Sequence, residues 1–132
     1  MFARAAAMFA AMLLSACNSV SAGQPCDEPG DLSCESASMA LICQTCRGAL
    51  QCARGTDSWQ QIPCRGANGC SSTRCDQSGN VASDPCPDAD EGRSFCKDGG
   101  DTTLMTCTNH VLVQQSCVSG CIASTTGEAA CR

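Results

Sequence analysis

Apolar residues crowd the first fourteen positions of the chain and are sparse after them. Ala5 to Leu14, AAAMFAAMLL, is one continuous apolar run behind a single cation, Arg4. Further on, the apolar and β-branched residues fall into short patches separated by Gly, Ser, Asp, Asn and Pro. Thr103 to Cys107 and Val111 to Ser116 are two such patches with Thr108-Asn109-His110 between them, which predicts a β-hairpin. Asn109 suits its tip because asparagine tolerates the left-handed backbone that tight turns require. Ser38 to Cys43 and Ser58 to Ile62 predict an equivalent hairpin earlier in the chain, with a longer tip. The remaining segments read as loops.

Cysteine dominates the composition, with 15 in 132 residues. Behind the N-terminal run only Trp59 and Phe95 are aromatic, so a large solvent-free core cannot be assembled, and cross-links must supply the missing stability. Such bridges persist in oxidising compartments, which points to the cell envelope or beyond. The net charge of -5, without clustered Lys or Arg, argues against nucleic acid as a partner.

The cysteines at 26, 34, 43, 64, 70 and 75 correspond in order to those at 86, 96, 107, 117, 121 and 131. The residues around them agree: Pro25-Cys26 with Pro85-Cys86, GDLSC (30–34) with GRSFC (92–96), ALIC ending at Cys43 with LMTC ending at Cys107, and the Gly-Cys pairs 69/70 and 120/121. WQQIPC ending at Cys64 answers VQQSC ending at Cys117, an alignment that sets Val113 in the place of Trp59. The chain is therefore a duplication. Cys46 and Cys52 have no counterpart in the second copy and sit in an insertion of about eleven residues, which reads as a loop with its own staple. The expected fold is small, disulfide-rich and hairpin-containing: two tandem cysteine-stapled units with little regular secondary structure. Residues 26–75 form the first unit, 76–85 a polar linker and 86–132 the second unit. Six cysteines allow 15 pairings per unit, and the sequence leaves them open.

The segment before the first unit has its own logic. The run 5–14 would cover about 15 Å as a helix, roughly half a hydrocarbon core, so it reads as an export signal and not as a span. Leu14-Ser15-Ala16-Cys17 follows directly: an aliphatic residue, two small ones and a thiol. This resembles the lipobox of bacterial lipoproteins. The resemblance implies a signal peptide over 1–16, a lipid-modified Cys17 carrying diacylglycerol and a fatty acyl group such as palmitate, and a tether over 17–25. Asn18, where the inner-membrane retention signal of enteric bacteria has Asp, favours the outer membrane or cell surface. Val20-Ser21-Ala22 is a rival site for an ordinary signal peptidase, which would release a soluble secreted protein, but it stands far from the apolar run.

Candidate chemistry is thin. Cys43-Gln44-Thr45-Cys46 is a C-x-x-C without the βαβ setting of a thioredoxin or the second C-x-x-C of a zinc ribbon, so it reads as two structural cysteines with different partners. His110 is the one histidine, reads as an exposed turn residue, and has no base or carboxylate nearby in sequence to work with. Asp88-Ala89-Asp90-Glu91 and Asp98-Gly99-Gly100-Asp101 lack the spacing of an EF-hand and read as solvated loops. No nucleophile elbow, P-loop or zinc-protease motif occurs, so no enzyme, no metal and no cofactor are expected beyond the lipid on Cys17. Trp59, a few residues before a cysteine, is similar to the sugar-stacking tryptophan of some small polysaccharide-binding modules, and it reads first as packing of its hairpin and second as a glycan contact. The expected function is a non-catalytic binding or structural role at the envelope, with glycan or protein as partner. The alternatives are a protease inhibitor presenting Arg47 to Arg54 and a thiol oxidoreductase at Cys43 and Cys46.

Overall fold

The computed structural model describes residues 19–46, 56–100, 102–124 and 128–132. Each unit is built on a three-stranded antiparallel sheet, β1 (Leu32–Ser36), β2 (Met39–Gln44) and β3 (Ser58–Pro63) in the first. A two-stranded ribbon, β4 (Cys70–Ser71) with β5 (Arg74–Cys75), completes it. The second unit repeats the plan with β6 (Ser94–Cys96), β7 (Thr103–Thr108) and β8 (Val111–Ser116), then the ribbon β9 (Cys121–Ala123) and β10 (Ala129–Cys131). Among the described residues there is no α-helix, only 3₁₀ turns at Asp88–Asp90 and Lys97–Gly99.

The central strands β2 and β7 carry the longest apolar patches because they are covered on both faces. Ala40 and Ile42 pack with Ile62, Cys64, Leu32 and the ribbon cysteines Cys70 and Cys75. Leu41 and Cys43 lie on the opposite face and are also buried. In the second unit Met105, Cys107, Leu112, Cys86 and Phe95 cluster on one face, and Leu104, Cys117, Cys121, Ala129, Cys96 and Cys131 on the other. Half of these contributors are cysteines. Sulfur therefore replaces the missing large side chains as packing material as well as cross-linking the chain.

The disulfides follow one scheme in both copies. Cys26–Cys43, Cys34–Cys70 and Cys64–Cys75 in the first unit answer Cys86–Cys107, Cys96–Cys121 and Cys117–Cys131 in the second. First pairs with third, second with fifth and fourth with sixth. Cα separations match too, 5.8 and 6.0 Å for the first bridge, 5.8 Å for both second bridges and 5.1 Å for both third ones. Cys46 is also disulfide-bonded, and its expected partner Cys52 lies outside the described residues.

Hydrogen bonds carry the repeat beyond the cysteines. Gly23 donates to the Trp59 carbonyl at 2.7 Å and Trp59 to the Gln24 carbonyl at 2.9 Å. In the second unit Ser83 donates to Leu112 and Leu112 to Asp84, each at 2.8 Å. Gly23 and Ser83 both have positive φ, 80° and 73°. Residues 23–25 and 83–85 are thus equivalent lead-in segments docked on the outer edge of the third strand, with bridges Pro25 to Ser58 and Pro85 to Val111. This corrects the alignment made from sequence. Trp59 is opposite Cys43 and Leu112 is opposite Cys107, so Leu112 and not Val113 occupies the place of Trp59. The shared Gln-Gln pair is out of register by one residue, a slip that would turn every side chain to the other face.

The polar segment 76–85 is pinned to both units. Asn80 is fully buried; its side-chain amide donates to the Pro63 carbonyl at 2.7 Å and accepts from the Arg65 amide at 3.0 Å. Arg65 grips Asp84 with two nitrogens, at 2.9 and 3.3 Å. Gly79 has no room for a side chain because a Cβ there would fall on the Arg65 carbonyl. Asp98 donates its amide to the Ser78 carbonyl at 2.7 Å, and Gln77 its side-chain amide to Asp90 at 2.9 Å. Gln77, Asn80 and Asp84, polar groups that composition suggests would be solvated, are instead bonded to the units on either side.

Candidate functional site

Two features collect chemistry. The first is the face of the β1–β3 sheet that carries Trp59. Side chains two residues apart on a strand share a face, so Gln61 stands beside Trp59, and Gln61 donates to the Glu35 carboxylate at 2.6 Å. Trp59 is half-buried, and Gln61 and Glu35 are exposed. In the second unit the matching position holds Leu112, buried in the cluster over Cys86–Cys107. The first copy therefore has a half-buried tryptophan with the Gln61 amide alongside, and the Glu35 carboxylate beyond that amide, at a position where the second has core. Gln61 follows from strand periodicity in the sequence, whereas its partner Glu35 was not legible there, because that contact crosses the sheet from β1 to β3.

The second feature is the junction, where the structure overturns the reading of His110 as an exposed turn residue. Asn109 and His110 form a two-residue turn, φ 52° and 64°, between β7 and β8. Such turns match the twist of the strands and demand left-handed residues. The His110 side chain is only 20% exposed, with Nδ1 at 2.9 Å from Asp88 Oδ1 and 3.9 Å from Glu91 Oε2. The contact is one of proximity, because neither Nδ1 nor Asp88 Oδ1 makes a hydrogen bond among the described residues. The acidic segment brings these carboxylates back onto the hairpin because the 3₁₀ turn at Asp88–Asp90 reverses the chain. Asp88 and Glu91 are accordingly bonded groups and not a solvated acidic loop.

Each carboxylate has a second task. Glu91 accepts the amides of Asn109 at 2.7 Å and His110 at 2.9 Å, and these two bonds, the His110 one foremost, hold its carboxyl below the usual glutamate range. Asp88 accepts the Thr45 amide of the first unit at 3.0 Å and donates its own amide to Gln44 Oε1 at 2.9 Å. Next along, Cys46 donates its amide to Asp57 at 3.0 Å. The end of β2, where the stapled insertion departs, is therefore tied to the second unit through Asp88. Between the units lies a cleft of about 320 Å³ bordered by Leu32, Ile42, Pro87 and Ala89.

Chemically, the junction offers one imidazole, two carboxylates and no nucleophile in contact with them. Among the described residues no group of three or more His, Cys, Asp or Glu side chains is arranged to hold a metal ion. Cys43 pairs with Cys26, so the two cysteines of the C-x-x-C do not share a bridge. Cys17 and the segment Arg47 to Arg54 lie outside the described residues. Among the described residues no helix is long and apolar enough to cross a membrane. Compared with protein-family models, with curated proteins and with solved structures, the chain matches none.

Proposed function

We propose that this chain is a cell-envelope lipoprotein, anchored by lipid on Cys17, that displays two stapled units as a non-catalytic glycan-binding body on the outer membrane or cell surface. The observation that carries the binding role is the half-buried Trp59 with Gln61 beside it on the same face, Gln61 in turn donating to Glu35. A sugar ring stacks its apolar C–H face on such an aromatic while its hydroxyls take amide and carboxylate partners. Support for the anchor comes from the thiol of Cys17 immediately behind the apolar run. Two or three acyl chains, at about 0.8 kcal/mol per buried CH₂, make detachment negligible. The docked lead-in at residues 23–25 leaves a short segment to reach the bilayer, so the first unit stands close to the membrane.

The experiment has two arms. Intact mass of protein extracted from membranes should show acyl chains on a chain beginning at Cys17, and a chain beginning at Gly23 without them would refute the anchor. Pull-down on envelope and extracellular polysaccharides should retain the wild type, with retention reduced at least tenfold by Trp59→Ala and severalfold by Gln61→Ala. Equal retention of all three would refute the glycan reading and leave the anchor standing.

A further inference from the structure

The lead-in segment limits how far the Trp59 face can stand from a bilayer. Gly23 donates to the Trp59 carbonyl at 2.7 Å, Trp59 donates to the Gln24 carbonyl at 2.9 Å, and Cys26 is bridged to Cys43 on the neighbouring strand. The segment also turns on itself, Gln24 donating to the Ser21 carbonyl at 3.1 Å. Cys17 precedes Gly23 by six residues, so a lipid-bearing Cys17 lies at most about 22 Å from the residue that is bonded to Trp59.

The chemistry of the face narrows what it accepts. Exposed Gln61 spends its Nε2 on the carboxylate of exposed Glu35, so its Oε1 is left as an acceptor next to an anion. Sugar hydroxyls donate to both groups, whereas an ionised phosphate or carboxylate has no proton to give and is repelled. The wider charge agrees. The described residues of the first unit carry Asp27, Glu28, Asp31, Glu35 and Asp57 against Arg65 and Arg74, and Arg65 is held by Asp84 at 2.9 Å. One tryptophan and one amide make a small contact, which a free sugar fills only at high concentration. A short tether to the surface that carries the sugar supplies an effective concentration on the order of millimolar without any further contact.

From the tether length and this acceptor-only border we propose that the Trp59 face takes the uncharged sugar headgroup of a glycolipid in the same leaflet that holds the Cys17 anchor. The assignment rests on the glycan and anchor readings given above, and it narrows them from polysaccharide in general to a headgroup within reach of the tether.

Trp59 is the only tryptophan of the chain, so its fluorescence reports this face alone. The lipidated full chain is reconstituted in phosphatidylcholine vesicles with and without a lipid bearing a glucosyl, galactosyl or lactosyl headgroup, and quenched with acrylamide. At least one of the three headgroups should slow quenching about threefold, while phosphatidylcholine alone, or mixed with anionic phosphatidylglycerol, should not. Gln61→Ala keeps the reporter and should lose the protection; its wild-type oxidised mass separates a damaged site from a misfolded chain. A long Gly-Ser insertion after Asn18 should weaken the protection, because effective concentration falls with tether length. Equal protection without sugar headgroups would overturn the assignment, and protection unchanged by the insertion would overturn the part given to the tether. Protection by none of the three, with polysaccharides still retaining the wild type in pull-down, would overturn the headgroup and leave the glycan reading standing. Loss of both, or a chain without acyl groups, would remove the assignment together with the reading beneath it.

Discussion

Asp88 of the second unit accepts the backbone amide of Thr45 in the first at 3.0 Å, while its other oxygen meets His110 Nδ1 at 2.9 Å. One carboxylate thus joins the hairpin tip of one repeat to that of the next. In the second unit the residue equivalent to Thr45 is Asn109, and its amide goes to Glu91 of the same unit. The face of unit one that meets its neighbour is apolar, with Leu32 opposite Ile42. The corresponding pair in unit two, Ser94 and Thr106, is polar and joined by a 2.7 Å hydroxyl contact. At this position the first copy presents an apolar pair and the second a bonded hydroxyl pair.

Asp88→Ala should loosen this junction. It leaves the Thr45 amide without its acceptor, at a cost of about 1–3 kcal/mol in guanidinium unfolding of the oxidised protein. Hydrogen exchange of the Thr45 amide should accelerate with it, while Asp88→Asn, which keeps an acceptor oxygen, should lose less. Unchanged exchange at Thr45 in Asp88→Ala would show that the contact holds nothing.

Acid should weaken the fold below about pH 4. Three carboxyls are held under their usual range. Asp76 is stabilised by the Ser78 hydroxyl and then by the Asn68 and Ser78 amides. For Asp84, burial pushes the carboxyl up, but the bonds from Arg65 and the Val81 amide outweigh it. Glu91 is stabilised by the His110 and Asn109 amides. Each folded-state value lies below the unfolded one, about 3.9 for Asp and 4.3 for Glu, so the unfolded chain binds more protons in that window. Stability is full above it and lost as pH falls through the folded values. Denaturant midpoints measured from pH 6 to pH 2 should fall, and Asp76→Asn should flatten the slope. Glu91 is exposed and Asp76 partly so, and solvent screening keeps their contributions modest, whereas Asp84 is buried against Arg65.

Removal of a bridge should follow the length of the loop it closes. Cys34–Cys70 spans 36 residues and Cys64–Cys75 only 11. The chain-entropy relation gives about 4 kcal/mol for the first and about 3 for the second. Paired Cys→Ala variants, unfolded under non-reducing conditions, should rank in that order. Peptide mapping of the wild type should recover one pairing scheme in both units, and a different scheme in either would contradict the repeat.

Gly69→Ala should destabilise the first unit by about 1–3 kcal/mol. Gly69 has φ 56°, and a Cβ there would fall on the Ala37 carbonyl, which accepts the Cys70 amide at 2.7 Å. Gly30→Ala, also at positive φ but with nothing near the added carbon, should cost less. Equal losses would place the effect in backbone conformation alone.

The sequence by itself determined the duplication, the matched cysteines and the hairpins. The strands expected at 103–107 and 111–116 appear as Thr103–Thr108 and Val111–Ser116, and those at 38–43 and 58–62 as Met39–Gln44 and Ser58–Pro63. These are legible because strand periodicity and turn chemistry act over a few residues. Only the tertiary structure decided which sulfurs meet, that Leu112 stands where Trp59 does, that His110 faces Asp88 and Glu91, and that Asn80 is buried. Each of these depends on segments brought together from 11 or more residues apart, through disulfides and through hydrogen bonds whose donors and acceptors look, one at a time, like ordinary solvated polar residues. A chain this poor in large apolar side chains is arranged by sulfur and polar pairing, and neither declares its partner in one dimension.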